Sequence, residues 1–589
     1  MSSYRCKNNQ SKKTLVVLCA VILTASLAFA QSSKISAKIS RDLADNSGSG
    51  QVNVIVQFNR APTASYHHKV TRLGGTLKSD LGFVKAGAYS IPASAVASLA
   101  ADPDVAYISS DRTLSGYLNN GAPAVNAPYA WSLGLDGSEI AVAVIDSGIQ
   151  GTTTNGKKTA DLKLPGTNTS RIVYNQSWVN DASGTQDAYG HGTNVAGIIG
   201  GDGASSTGPQ YTKTFKGIAP NVNLVNLRVL DANGLGTDST VIAAIQAAVQ
   251  LKNTYNIRVI NLSLGRPVYE SYTLDPLCRA VEAAYQAGIV VVVAAGNDGR
   301  DDSAGTAGYG TIAAPANDPY VITVGAMKSM GTPTRTDDLI ATYSSKGPTQ
   351  IDHIVKPDIV APGNLQVSLN SPGSTLSATY TGNVVPLSFY HNGGSSSASS
   401  VYFTMSGTSM AAPMVSGAAA LLLESQPTLT PDQVKARLML TAYKTFPSYS
   451  SYTDPTTGIT YTDQYDVFTI GAGYLDIQAA LNSTALSSGV AISPTAEYDA
   501  STNSVYFVSA SGAVWGSGAV WGSGAVWGAN VFVGSQGAVW GSGAVWGSGA
   551  VWGSTTTQGF GAVWGSGAVW GSSSTDGGEA TNILINGEN

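Results

Sequence analysis

The chain has 589 residues, 43% of them hydrophobic, which is enough for a large buried core and more than one domain. Only 12% of residues are charged and the net charge is −5, with Lys and Arg scattered, so no basic stripe is available for nucleic acid and the composition is not that of a charged disordered chain. Charge leaves the partner class open.

Residues 1–30 read as a secretory signal: Arg5, Lys7, Lys12 and Lys13 open it, Thr14 to Leu27 form an apolar core, and Ala28-Phe29-Ala30 is a small-x-small cleavage site. A retained anchor would need a longer apolar run. Cleavage after Ala30 predicts a secreted, extracellular protein and removes Cys6 and Cys19, so that Cys278 alone remains and no internal disulfide can form. Cys278 falls in a predicted helix, Pro276 to Ala287, where a buried inert thiol is expected.

Residues 31–115 are expected to form a small unit. Val52 to Phe58 alternates as a strand, a polar helical stretch with surface residues His67 and His68 follows, and Gly74-Gly75 ends it. Extended runs at Leu77 to Phe83 and Ala88 to Ile91, a helix from Pro92 to Ala101 and a strand from Val105 to Ile108 complete a β-α-β-β-α-β order, that of a ferredoxin-like α+β unit.

From residue 116 to 484 the pattern changes to α/β. Apolar, β-branched runs at Ile140 to Ile145, Val222 to Leu230, Arg258 to Leu262, Ile289 to Ala295 and Val321 to Val324 alternate with helical stretches such as Asp238 to Leu251 and Leu277 to Ala287. Such alternation predicts a parallel sheet with helices on both faces, whose reactive groups gather at the carboxyl ends of its strands. Asp146 ends the first run, and burying its carboxylate there calls for a partner. His191, in Gly190-His191-Gly192-Thr193-Asn194-Val195-Ala196-Gly197, has the close-approach setting to be that partner, whereas His353 and His391 lie in polar stretches expected to be solvated. Asn297 follows a further apolar strand in Ala294-Ala295-Gly296-Asn297-Asp298 and reads either as a turn residue or as an amide donor. Ser409, in Gly407-Thr408-Ser409-Met410-Ala411-Ala412-Pro413, stands before the apolar helical run Met414 to Leu423; alone, this reads first as a helix cap, and its partners decide whether it is a presented nucleophile. A serine alcohol needs an imidazole to take its proton, a carboxylate to orient that imidazole, and donors for the oxyanion that follows.

The order Asp146, His191, Asn297, Ser409, with these glycine contexts, resembles the subtilisin-like serine peptidases. The resemblance runs from about Ala122 to Leu481 and includes Gly217-Ile218-Ala219-Pro220, Tyr343-Ser344-Ser345-Lys346-Gly347-Pro348, Lys356-Pro357-Asp358-Ile359-Val360-Ala361-Pro362-Gly363 and Gly471-Ala472-Gly473. It implies a triad of Asp146, His191 and Ser409, with Asn297 as oxyanion donor. It also implies that Gly234-Leu235-Gly236 and Ser263-Leu264-Gly265 pair with an extended protein or peptide substrate. Ala294 and Ala295 would wall the first specificity pocket, with Ala313 and Ala314 near its floor, so large apolar or aromatic residues would be accepted there. The first unit would be an inhibitor propeptide, cut off between Ser110 and Leu118 by the enzyme itself. Members of this family often have a second histidine where Asn194 stands, a mild departure outside the triad. They often bind calcium as well, but no acidic loop has EF-hand spacing, and no metal ligand or other cofactor is assigned. Gly363 to Ser406 is longer than the family usually needs, and its run from Gly393 to Ser400 is expected to be a mobile surface loop.

A linker over residues 485–510 leads to a tail, residues 511–589, carrying eight Gly-Ala-Val-Trp copies, with Trp515, Trp521, Trp527, Trp540, Trp546, Trp552, Trp564 and Trp570 at six-residue steps within each block. Extended, each block would put its Trp residues on one face. The tail reads either as a low-complexity extension or as an attachment device for polysaccharide or a cell surface. The rival to a peptidase is accordingly a catalytically idle surface-binding protein acting through these repeats.

Overall fold

The structure, a computed structural model, describes residues 38–40, 43, 50–82, 85–110, 118–151, 159–303, 305–396, 398–455, 457–487, 489–499, 504–508, 531–532 and 583–588. The signal-like segment, the expected processing boundary at 111–117 and the Trp repeats lie outside the described residues. The chain divides into two compact units, Met1–Leu114 and Ser115–Asn589.

The first unit contains β1 (Gln51–Phe58), α1 (Ala64–Arg72), β2 (Thr76–Leu81), β3 (Ala86–Pro92), α2 (Val96–Ala100) and β4 (Val105–Ser110). All its strand pairs are antiparallel, in the order β2-β3-β1-β4. The period of two in β1 buries Val54, Val56 and Phe58 against Val70 of α1 and Leu99 of α2. His67 departs from the expected surface position: it is half-buried and its Nδ1 lies 2.7 Å from the Tyr89 hydroxyl. His68, the next residue, is exposed as expected.

The second unit is built on β5 (Ala141–Asp146), β6 (Ile172–Ser177), β7 (Asn223–Arg228), β8 (Ile257–Leu262), β9 (Val290–Ala294) and β10 (Ile322–Lys328), in the order β10-β9-β8-β5-β7-β6. Every pair among these is parallel; β12 (Ile359–Pro362) also joins β10 in parallel, and only β11 (Leu339–Ile340) pairs antiparallel. β5 is buried along its whole length because both faces are covered. Val142 and Val144 face one cluster with α3 (His191–Gly200) and α6 (Thr408–Ser425), while Ala141, Ala143 and Ile145 face another with α4 (Asp238–Tyr255) and α5 (Pro276–Gln286). Strand order reverses around β5, and its carboxyl end is the switch point where such sheets place their ligands.

Two expectations are corrected. The stretch from Gly363 to Ser406 is mostly regular structure, a three-stranded sheet of β13 (Gln366–Leu369), β14 (Val384–Pro386) and β15 (Ala398–Met405) in the order β13-β15-β14. Its Ser-rich run leads directly into β15, which is held by burial of Tyr402 and Phe403; Tyr402 stacks edge-on to Phe215 at 4.7 Å and donates to Asp161 Oδ2 at 2.7 Å. His353 and His391 are half-buried rather than solvated: burial lowers the pKa of His353, and His391 packs edge-on to Tyr211 at 4.8 Å. Cys278 is buried as expected, with its thiol on Asn317 Oδ1 at 3.3 Å and its pKa pushed up by desolvation.

Helix α6 is the spine of the unit. Of its eighteen residues, Thr408 and Met410 to Leu423 are buried, and Gly417 lets Ile218 approach so closely that a Cβ there would stand 2.5 Å from the Ile218 Cβ. Gly417→Val is therefore expected to cost about 1–3 kcal/mol through overpacking, read as a lower denaturant midpoint at unchanged slope.

Candidate active site

Helix α6 brings Ser409 to the sheet, and the way it starts is unusual. Pro413 has no N–H to give the carbonyl of Ser409, which therefore lacks its helical bond. The Ser263 hydroxyl fills the gap, donating to Ser409 O at 2.8 Å, and receives in turn the Asn261 amide at 2.9 Å. The Ser416 hydroxyl, one helical turn beyond Pro413, donates to Asn261 Oδ1 at 2.8 Å. Side chains at the end of β8 and just past it thus hold the first two turns of α6.

Asn297 reaches the same corner from the end of β9. Its Oδ1 accepts from the Thr408 N–H at 2.9 Å and the Thr408 hydroxyl at 3.1 Å. With Oδ1 so fixed, Nδ2 is turned to the Gly407 side, 3.2 Å from where a Gly407 Cβ would stand, and has no protein partner among the described residues. The Ser409 N–H likewise has none. Gly407 has a φ of +135°, a conformation that only glycine adopts without strain.

The other half is set by β5 and α3. Asp146 is 1% exposed, and its Oδ1 takes the Ser147 N–H at 2.7 Å and meets His191 Nδ1 at 2.8 Å. A carboxylate only accepts, so the ring proton sits on Nδ1 and Nε2 is left as the basic nitrogen. Burial by itself disfavours the imidazolium; the charge and hydrogen bond of Asp146, with Asp187 behind, more than offset it, and the His191 pKa is raised. The two halves converge because β5 and β8 are neighbours with Val144 opposite Asn261, which sets Asp146 beside Ser263 at the same level.

One expected contact is not made. The Ser409 hydroxyl donates to the Ser263 carbonyl at 3.2 Å, and no hydrogen bond joins it to His191. Contacts of this kind commonly tighten only with substrate bound.

The remaining predicted residues fall around this corner. Gly265 lies against Ala313 and Ala314, tied by the Arg266–Ala314 backbone pair, and the backbones of Leu264 and Gly265 have no protein partner among the described residues. Gly234 (φ +78°) packs under the Tyr189 ring, Leu235 is 67% exposed, and Gly236 lies over Val229. Leu235 commits its own N–H and carbonyl to a turn with Asp231. Asn194 is fully buried and donates to Phe403 O at 3.0 Å, linking α3 to β15.

Asp187 carries no signal in the sequence beyond standing four residues before His191. Its buried carboxyl accepts the Ser147 hydroxyl at 2.8 Å, the Gly190 N–H at 2.6 Å and the Thr193 N–H at 2.8 Å, capping α3 and tying it to the loop after β5. Among the described residues no group of three or more His, Cys, Asp or Glu converges, and no step of the reaction below depends on a metal ion.

A model of the subtilase family matches residues 137–473 of the chain. Serine protease AprX of Bacillus subtilis is 39% identical over 309 residues, covering 52% of this chain and 61% of the relative. Subtilisin E of Bacillus subtilis is 32% identical over 442 residues, 74% of this chain and 94% of the relative, and an extracellular serine proteinase of a Thermus species is 35% identical over 358 residues, 60% and 69% respectively.

Because its folded-state pKa is raised, His191 contributes stability that is fully present below the unfolded imidazole value and is lost as pH rises through the folded value. NMR titration of the ring should give a midpoint above 6.5, and Asp146→Asn should bring it down, since burial would then act with only Asp187 opposing it. A midpoint indifferent to that substitution would remove Asp146 as the partner that matters.

Proposed function

The chain belongs to the subtilase family and is a subtilisin-like serine endopeptidase, and from that premise we propose that it cleaves peptide bonds through Asp146, His191 and Ser409, with Asn297 and the Ser409 N–H stabilising the oxyanion. The observation that carries this reading is the buried Asp146–His191 pair beside a serine whose own N–H, and whose neighbouring amide Nδ2, have no protein partner among the described residues.

In the reaction, the Ser409 hydroxyl turns from the Ser263 carbonyl to His191 Nε2 and gives up its proton as Oγ attacks the substrate carbonyl. Asp146 keeps the ring in the Nδ1–H tautomer and offsets the charge of the imidazolium. The tetrahedral oxyanion takes hydrogen bonds from Asn297 Nδ2 and the Ser409 N–H, donors that need no reorganisation because Thr408 already holds Asn297 and the start of α6 is pinned at Ser263. The imidazolium protonates the departing amine, and water then attacks the acyl-enzyme by the same path in reverse.

Substrate would lie extended between the unpaired backbone of Leu264 and Gly265 on one side and the Gly234-Leu235-Gly236 segment on the other, where Asp231 already holds the Gly234 N–H and both backbone groups of Leu235. Ala294, Ala295, Ala313 and Ala314 are small and buried, with no charge among them, which favours large apolar or aromatic residues before the scissile bond. We read residues 31–115 as the inhibitor propeptide of a secreted, self-processing precursor; the β-α-β-β-α-β order and the antiparallel β2-β3-β1-β4 sheet support a ferredoxin-like unit of that kind. A catalytically idle protein is not favoured by the family match.

A fluorophosphonate should label Ser409 and no other serine, and Ser409→Ala made in a protease-free host should remain an unprocessed precursor; maturation of that variant would exclude self-cleavage. Asn297→Ala is expected to lower kcat by roughly 10²–10³-fold with little change in KM, the magnitude that loss of the equivalent amide has in subtilisin itself. Peptide-library profiling should favour apolar residues before the cleaved bond, and a preference for Arg or Lys there would refute the pocket assignment.

A further inference from the structure

Six residues that follow the Trp repeats, Ile583 to Glu588, are built into the second unit. Ile583, Leu584 and Ile585 are buried in its main apolar cluster. The Leu584 carbonyl accepts the Ser406 N–H at 2.8 Å, and Asn364 grips Glu588 at both backbone groups, Nδ2 donating to its carbonyl at 2.6 Å and Oδ1 accepting its N–H at 2.8 Å. Gly587 has a φ of +57° and passes so close that a Cβ would stand 2.3 Å from the Ser406 hydroxyl.

The Glu588 carboxylate is fully buried and is met by Arg300 at 2.8 Å, Lys328 at 3.0 Å and the Thr342 N–H at 2.8 Å. Arg300 and Lys328 are each only 6% exposed. Tyr452 and Tyr461 of a hairpin (Tyr449–Thr453 and Thr460–Gln464) cover them, with Lys328 4.6 Å from the Tyr452 ring centre and Arg300 4.7 Å from that of Tyr461. Asp454 pairs with Arg300 at 3.1 Å, so Glu588 supplies the second negative charge for two buried cations. Burial opposes the charge on Arg300, and Glu588 does most to restore it.

This pocket is joined to the corner described above through short stretches of chain. Ser406 lies three residues before Ser409 and its hydroxyl accepts the Leu365 N–H at 2.8 Å, while Arg300 lies three residues after Asn297. The chain entering the repeats is also attached to this unit, since the hairpin Thr495–Asp499 with Ser504–Val508 bonds to Ile354 and His353.

We propose that Arg300, Lys328, Thr342, Asn364 and Ser406 form a peptide-recognition site whose occupant is the chain's own segment Ile583–Glu588. Segments on both sides of the repeats are thereby held on this unit, and the occupied site braces the turn that presents Ser409. Its ligand class is an apolar stretch followed by Asn-Gly-Glu, read by a buried carboxylate clamp and by backbone pairing.

The test uses the full chain with a site for a sequence-specific protease inserted between Thr557 and Gln558. After cutting, the fragment from residue 558 onward should co-elute with the rest of the protein under native conditions and be displaced by excess synthetic peptide covering residues 582–589. The same peptide with Glu588→Gln should compete at least ~10-fold more weakly, as loss of a buried charge-assisted contact requires. Release of the fragment on cutting alone, or equal competition by the two peptides, would overturn the site. A dimer before cutting, exchanging fragments between tagged copies, would overturn the assignment of the occupant in favour of a second copy. The bracing of Ser409 rests on the proposed peptidase function and has its own readout. Fluorophosphonate should label Ser409 at least ~10-fold more slowly once the fragment is displaced, and an unchanged rate would overturn the bracing while leaving the site intact. Absence of any labelling even in the uncut chain would instead sink the peptidase reading, without touching the elution result.

Discussion

The structure depends on a helix that enters the core end-on. Nearly all of α6 is buried, so its first turn cannot be satisfied by water, and each polar group there has to find a fixed partner. Pro413 sharpens the demand by withholding the bond that the Ser409 carbonyl would otherwise receive. Ser263 and Asn297, standing past the ends of β8 and β9, meet these needs. Because both strands belong to one buried parallel sheet, the position of Ser409 is referred to the most rigid part of the molecule.

Charge is handled on the same principle. Buried ions are tolerated where the backbone or an opposite charge is already in place. Asp187 takes two backbone N–H groups and a hydroxyl at the start of α3, and Asp146 takes one N–H and an imidazole. Arg228, fully buried, makes a two-point contact with Asp181, whose pKa falls chiefly through those hydrogen bonds. The outcome at His191 shows the balance: desolvation is the largest single influence, yet the adjacent carboxylate decides the direction.

The proposed function rests on what is left without a partner among the described residues. The Asn297 amide has its oxygen committed and its nitrogen spare, the Ser409 N–H is spare, and Nε2 of His191 is the unprotonated face of a ring whose other nitrogen is bound. The Ser409 hydroxyl itself rests on the Ser263 carbonyl, so in the proposed reaction the nucleophile starts ordered and the base open. Ser263 accordingly anchors the start of α6, in addition to its proposed place beside the substrate.

Much of this was legible in the sequence, because period and burial are local properties. The β-branched runs gave β5, β7, β8, β9 and β10 to within a few residues, the β-α-β-β-α-β order of the first unit was readable from its breakers, and the order of Asp146, His191, Asn297 and Ser409 in glycine-rich settings marked them together as site candidates where none stood out alone. Tertiary structure alone decided the rest. Serine and glycine around 393–400 carry no strand signal, and β15 exists because Tyr402 and Phe403 find a distant apolar surface. Asp187 and the clamp on Glu588 are invisible to local pattern because a carboxylate's role is set by the donors that converge on it, and those come from residues far apart in the chain: Ser147 and Thr193 for one, Arg300, Lys328 and Thr342 for the other. Local pattern determines which segments are buried and in what form, while the partners of a buried polar group are settled only when the segments meet.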